Sequence, residues 1–352
     1  MLGCPRPEEV FAIGARAFAQ AADRVAVLEW SFRIAGFDVL LRFAGPALIG
    51  AATRALEHLA TPPPAAPALV ISLWDAASTK STEPAASIPH VSEVSYWRGE
   101  VYGLNDKRFS TFYHGDLKAL SLVNHETNEA LFWVEDAETL PTYAHGAPLV
   151  ALLHSWLERL GLQVVHAAAV GRADGGVLIV GEGGAGKSTT ALSCLQSDLR
   201  YAGDDYCLVG AGVCPRVFSL YSSAKVTHDH LSRLPHLAPL VQCLPNGGEK
   251  AVLFLSDHYA ERLIPAFPLR GILLARISGR ATTELRKMSR AEVVRGWMPS
   301  TIRQLPRAGR AAFERMTQIA KQVPAWGLEL GTDLLQIPAA IEDCLERAAD
   351  GG

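Results

Sequence analysis

Residues 177–195, VLIVGEGGAGKSTTALSCL, constrain the fold more than any other stretch, because they read in order as buried strand, glycine-rich turn and helix. The turn fits G-x-x-x-x-G-K-[ST] at Gly181, Gly186, Lys187 and Ser188. Glycines at 181, 183, 184 and 186 allow backbone conformations closed to residues with a Cβ, so successive N–H groups can converge on one anion. A helix over about 187–196 would turn its unpaired N-terminal amides towards the same anion. The set expected to cradle the phosphates of a nucleotide is Gly181, Gly183, Gly184, Ala185, Gly186, Lys187, Ser188 and Thr189. Lys187 would reach the β- and γ-phosphates, and the Ser188 hydroxyl would sit on Mg²⁺.

Asp204 and Asp205 follow Lys187 after only seventeen residues, which leaves room for one short helix and one short strand. The strand beside the phosphate strand would then bring two adjacent carboxylates to the phosphate end. Neighbouring strand residues point to opposite faces, so the pair is expected to divide its labour. One carboxylate holds Mg²⁺ and the other accepts a proton from an attacking hydroxyl. We assign the proton to Asp204 and the metal to Asp205; the unknown phase of the strand leaves the inverse order open, and a surface Asp-Asp turn is the structural alternative. Just upstream, residues 164–171 (VVHAAAVG) read as an apolar strand interrupted by His166, joined through a turn at 172–176 to the phosphate strand as a hairpin. Taken alone, His166 would be a packed core histidine.

The succession His166-Ala-Ala-Ala-Val-Gly, VLIVGEGGAGKS and AGDDY resembles the HPr kinase/phosphorylase family, which shares a nucleotide fold with phosphoenolpyruvate carboxykinase. The resemblance covers about 166–208. It implies that His166, Lys187, Ser188, Asp204 and Asp205 converge on a metal–phosphate centre, with His166 in the catalytic set. The chain lacks the further signature by which HPr kinases grip their carrier protein, and its N-terminal half is unlike their regulatory domain. Residues 221–225 (YSSAK) and Glu249-Lys250 look instead like those of HPr-kinase-like proteins associated with lasso-peptide biosynthesis, which are similar to peptide-serine kinases. Lys225 and Lys250, each flanked by apolar residues, are further candidates for charge on the nucleotide or the transferred group; lysines that snorkel from a strand edge are the equal alternative.

A chain of 352 residues has room for two domains. A boundary near 143–148 would separate an N-terminal α+β domain, 1–145, from a P-loop domain of HPr kinase type with a mixed sheet, 146–352. In the first, a helix is expected at 12–22, strands at 25–34 and 37–43 meeting at Ala35-Gly36, a helix at 47–59, a strand at 69–74 and a mobile loop at 76–92. Strands at 94–97, 109–114, 119–124 and 129–135 should complete an antiparallel sheet, to which acceptor docking falls by elimination. His114, His125 and His145 have no spacing that makes a ligand set. Apolar residues at helical spacing over 149–160 lead into the second part. Beyond Lys250 the periodicity gives a strand at 269–277, helices at 289–298 and 307–323, a strand at 327–330 and a helix at 339–348.

The six cysteines include no C-x-x-C pair and are read as reduced thiols. The basic start and unbroken apolar core of a signal peptide are missing, as is any run long enough to span a membrane, so a cytoplasmic location is expected. A formal net charge of −3 points to neither nucleic acid nor membrane. Residues 270–315 carry eleven Lys/Arg against three Asp/Glu, either solvated helix faces or a surface for phosphates or an acidic partner. The combined expectation is an ATP- and Mg²⁺-dependent kinase for a serine hydroxyl on a ribosomally made, lasso-type precursor peptide or a small protein acceptor. The alternatives are a P-loop NTPase switch without an acceptor, or a kinase of an HPr-like protein or a small molecule. Homo-oligomerisation is compatible with the sequence.

Overall fold

The computed structural model describes residues 5–88, 98–241 and 250–350. The strand expected at 94–97, with Cys4, Cys243 and Glu249, lies outside them. The chain divides into two compact units, Met1–Leu160 with Arg303–Arg307 and Gly161–Ile302 with Ala308–Gly352.

In the first unit α1 (Pro7–Ala22) begins five residues before the expected helix. Pro7 takes the first helical position, and the Glu9 carboxylate accepts the Arg6 N–H at 3.0 Å. β1 (Val27–Ile34) and β2 (Phe37–Ala44) form the expected hairpin, with Ala35 and Gly36 both left-handed (φ 50° and 90°), as a two-residue turn demands. The helix expected at 47–59 splits into α2 (Ile49–Thr53) and a 3₁₀ segment Arg54–Leu59. β3 (Leu69–Asp75) follows, and Asp75 caps α3 (Ala76–Thr79) by accepting the Ser78 N–H at 3.0 Å. That helix and the 3₁₀ turn Pro84–Ser87 order part of the stretch expected to be a mobile loop.

β4 (Phe109–His114), β5 (Ala119–Asn124) and β6 (Glu129–Val134) match their expected ranges, and the sheet order is β1-β2-β3-β6-β5-β4. This sheet is mixed, not antiparallel as expected, because β3 runs parallel to both β2 and β6. The connection through 45–68 is long enough for a crossover, which hydropathy does not distinguish from a hairpin return. After α4 (Thr142–His145) comes α5 (Val150–Arg159), which counts with this unit. Phe109 packs on Phe11 of α1, whereas its neighbour Ser110 meets Ser155 of α5, so the two helices cover opposite faces.

The second unit holds β7 (Leu162–Val165), β8 (Ala168–Arg172), β9 (Gly175–Val180), α6 (Lys187–Ser193), β10 (Arg200–Gly203), β11 (Cys207–Gly210), β12 (Arg216–Ser219) and β13 (Ser223–Val226). Then follow α7 (His228–Arg233), β14 (Ala251–Phe254), β15 (Ala266–Ile277), β16 (Glu284–Lys287), α8 (Arg290–Gln304), α9 (Arg310–Gln322), β17 (Ala325–Leu330) and α10 (Gln336–Asp350). Its main sheet runs β10-β8-β9-β15-β12-β11-β7, with β17 beside β15 and β16 beside β17. Along β9, Val177 and Ile179 enter one core with Ala191 of α6 and Ile341 of α10. Leu178 and Val180 enter another with Trp297 of α8 and Met316 of α9. Helices thus cover both faces, and the chain is α/β with mixed sheets. No helix among the described residues is long and apolar enough to cross a membrane.

Two expectations about the site change here. β10 pairs with β8, so one strand separates the acid pair from β9. His166 lies between β7 and β8 and not within a strand. Both follow from one feature: segments 162–172 and 200–210 form an antiparallel ladder that stops and resumes in register, with Gly203 facing Ala169 and Cys207 facing Val165.

Candidate functional site

The interruption holds the polar residues. On one strand it spans His166 and Ala167, on the other Asp204, Asp205 and Tyr206. A regular ladder would point Asp204 and Asp205 to opposite faces of the sheet. Released from it, the segment buries Asp204 at 2% exposure and leaves the Asp205 side chain at 24%.

The glycine-rich turn leaves β9 at Gly181 (φ 147°) and passes Gly184 (φ 81°) to Gly186 (φ 96°) before α6 begins. At Gly186 the left-handed backbone favours glycine, and a Cβ would also press on the Leu330 side chain, 2.5 Å from its Cδ1. Gly183 and Gly184 have open space where a Cβ would project. The Lys187 ammonium is buried and donates to the carbonyls of Gly181 and Glu182, each at 3.0 Å. Burial pushes its pKa down, and the charges of Asp205 and Asp204 oppose that. Among the described residues no carboxylate lies within ion-pair distance of it.

Asp205 is fully engaged. Its Oδ1 accepts from His166 Nε2 at 3.2 Å and its Oδ2 from Lys225 Nζ at 2.6 Å. Burial opposes its charge, yet the His166 hydrogen bond and the Lys225 ammonium hold its carboxyl well below the usual range. Burial lowers the pKa of His166, and the hydrogen bond to Asp205, then the Asp205 charge, oppose that; Nε2 donates to Asp205, and the buried Nδ1 has no protein partner.

Asp204 is the opposite case, for neither of its oxygens has a hydrogen-bond partner. Burial, then the neighbouring Asp205 charge, push its pKa up to about 7. The hydroxyls of Ser188 and Tyr201 lie near enough to favour its charged form without completing a hydrogen bond of normal geometry. Tyr201 gives its proton elsewhere, to the Ser223 carbonyl at 2.8 Å. A Mg²⁺ ion fits this donor set: a buried carboxylate with both oxygens free, beside the Ser188 hydroxyl in the first turn of α6. Asp205, with both oxygens taken, fits it less well, so the geometry favours the inverse of the division assigned from sequence.

The structure therefore brings Lys187, Ser188, Asp204, Asp205, His166 and Lys225 together. Thr189 lies beside Ser188 in the first turn of α6. Lys250 is exposed just before β14, which pairs with β13, and its charge acts on Lys187. Sequence reasoning missed Thr301, whose hydroxyl accepts the His166 N–H at 3.1 Å from 135 residues away, and no local signal marks it. It also missed Tyr201, which stands three residues before Asp204 in a run read only for its strand character.

No protein-family model matches the chain, and no curated protein sequence matches it. Among solved structures, the Hpr(Ser) kinase/phosphatase from Coxiella burnetii is similar over 54% of this chain and 99% of that one, at 10% identity with a TM-score of 0.30.

Proposed function

We propose that the second unit is an ATP-dependent phosphotransferase whose acceptor is a serine hydroxyl on a ribosomally made precursor peptide. One observation carries the nucleotide reading: the Asp204 carboxylate is buried without a partner beside Ser188, the residue that follows the phosphate-loop lysine. An unpaired buried carboxylate costs several kcal/mol, which a bound cation offsets. Lys187 exchanges its loop carbonyls for phosphate oxygens, and the loop amides take the remainder. Ser188 and Asp204 would hold Mg²⁺, which would neutralise charge on the phosphates. Asp205, fixed by His166 and Lys225, lies where it orients the incoming hydroxyl, whose proton passes late in the reaction to an oxygen of the transferred phosphoryl group. The new bond joins the acceptor oxygen to the γ-phosphorus, and the bond to the β,γ-bridging oxygen breaks, its electron pair leaving with ADP.

The peptide acceptor rests on the resemblance of residues 221–225 and Glu249-Lys250 to the lasso-associated kinases. The test is intact-mass measurement of candidate peptides after incubation with the full chain, ATP and Mg²⁺. A gain of about 80 Da on a seryl side chain is expected, with slow ATP consumption when peptide is omitted. Rapid release of phosphate with every peptide and HPr unmodified overturns the kinase reading in favour of a hydrolase.

A further inference from the structure

Of the strands that end the two main sheets, β1, β4, β7 and β10 have backbone groups on their outer side taken up by the chain itself. The Thr61 N–H bonds to Ser31 O of β1 at 2.9 Å, and the Tyr113 N–H of β4 bonds to Gly99 O at 2.7 Å. The Ile264 N–H reaches Tyr201 O of β10 at 3.0 Å, and Arg315 donates to Leu162 O of β7 at 3.3 Å. The remaining end strand, β16, pairs with β17 alone, and among the described residues nothing bonds to its outer side. We infer that β16 is a docking edge for an acidic, extended segment of the acceptor peptide, which adds to the sheet as a further strand. The inference rests on the peptide-acceptor reading above and names how that peptide is held.

Backbone phase is the first support. Met288 N bonds to Ala325 O at 3.4 Å, so by alternation Glu284 and Arg286 turn their N–H and C=O towards β17. Leu285 and Lys287 turn theirs outward, which is the pattern an added strand pairs with. The second support is charge. Between positions 276 and 290 stand Arg276, Arg280, Arg286, Lys287 and Arg290, all exposed, against one acid, Glu284. Arg280 is paired with Glu284 at 2.9 Å and Arg286 lies 3.8 Å from Glu329, whereas Arg276, Lys287 and Arg290 form no ion pair among the described residues. Lysine on an edge strand opposes pairing with a second copy, which would set two such clusters against each other, and admits a strand of opposite sign. A nucleic acid would match the charge and leave the outward N–H groups of Leu285 and Lys287 unmatched. The third support is place. Glu284 faces Glu329, and the next residue of β17, Leu330, packs on Gly186 of the phosphate loop. Five strand spacings, about 24 Å, separate β16 from β10, which leads into the acid pair. The phosphorylated serine therefore stands roughly seven or more extended residues away from the docked segment.

The test is fluorescence anisotropy of labelled decapeptides with the full chain, in the absence of nucleotide. The probe alternates glutamate and valine; one control alternates lysine and valine, and another is the acidic peptide N-methylated throughout, which keeps its charge and loses its backbone donors. The wild type should bind the acidic probe at least about tenfold more tightly than either control. Lys287→Pro removes an outward N–H that the ladder to β17 does not use, and should weaken the probe about tenfold; Lys287→Ala, which keeps that N–H, should weaken it only about threefold. Lys287→Glu reverses an exposed charge without touching the backbone, guards against misfolding of the proline variant, and should also cost about tenfold. No binding of the acidic probe by the wild type, equal binding of either control, or unchanged binding in the proline or glutamate variant overturns the docking edge. The outcome is independent of the mass measurement above: probe binding as expected, with no peptide gaining phosphate, overturns the kinase reading and leaves β16 as a strand-docking edge.

Discussion

Each unit packs a histidine against side-chain oxygens beside a β-ladder, and the two clusters end differently. In the first unit the Ser110 hydroxyl accepts from Ser155 at 2.9 Å and from Arg307 at 3.0 Å, so its own proton goes to His125 Nε2 at 2.8 Å. That hydroxyl is saturated, and the cluster leaves only the ring Nδ1 unmatched. In the second unit His166 and Lys225 saturate Asp205, while both oxygens of Asp204 are left unmatched. An unmatched ring nitrogen costs little beside an unmatched carboxylate. A cluster that closes on itself serves the architecture; one that leaves a carboxylate open matches the cation proposed for it.

The largest expected effect tests the open cluster. Lys187→Ala should lower phosphoryl transfer by about 10²–10³-fold. It should leave the melting temperature at or above wild type, because a buried ammonium held only by carbonyls is removed. Wild-type transfer in that variant would mean that the glycine turn is only a turn.

The acid pair sharpens the contrast within one unit. Asp204→Asn should lower Mg²⁺-dependent turnover by about 10²-fold and raise the ligand-free melting temperature, since an uncompensated buried carboxylate is neutralised. Asp205→Asn should lower the melting temperature, because Lys225 and His166 lose the charge they share. Thermal melts of both variants without nucleotide decide it. If both are destabilised alike, the two aspartates are equivalent structural groups and the comparison fails.

What could be read in the sequence follows from how local each cause is. The turn at Ala35-Gly36 and strands β4, β5 and β6 were legible because φ preference and alternation are settled within a few residues. The phosphate-loop glycines were legible for the same reason. The parallel placement of β3 and the position of β8 between β9 and β10 were not, since strand order depends on which faces pair at long range. The acid pair could be found from its spacing, but its division could not. That depends on the break in the ladder between Gly203 and Cys207, and on a hydroxyl at Thr301 that fixes the opposite side of the break.

For the closed cluster a smaller effect is expected, on stability alone. Ser110→Ala should cost about 1–3 kcal/mol of the first unit, since it leaves the Arg307 and Ser155 donors without their acceptor. Phosphoryl transfer should be unchanged. A drop in transfer that exceeds the drop in folded fraction would give the first cluster a part in the reaction and dissolve the distinction.

The smallest effect is the pH response of the same cluster. Burial, then the charges of Arg159 and Arg307, lower the His125 pKa from its ordinary 6.5 to about 4, against a weaker upward pull from Asp106. The folded first unit therefore keeps His125 neutral over a range in which the unfolded chain takes up a proton. The unfolded state binds more protons between about pH 6.5 and about pH 4, so stability should fall as pH falls through that window and level off below it. Buried His58, also lowered to about 4, adds a slope of the same sign. His125→Gln should remove the His125 part and keep the His58 part. Amide exchange in Phe109–His114 and Ala119–Asn124, followed as pH is lowered, isolates the difference between variant and wild type. Faster exchange at lower pH in the wild type, after correction for intrinsic rates, with a shallower response in the variant, is the expected outcome. Identical responses would show that the proton on His125 is held as easily in the folded unit as in the unfolded chain, and that its cluster is less closed than its hydrogen bonds imply.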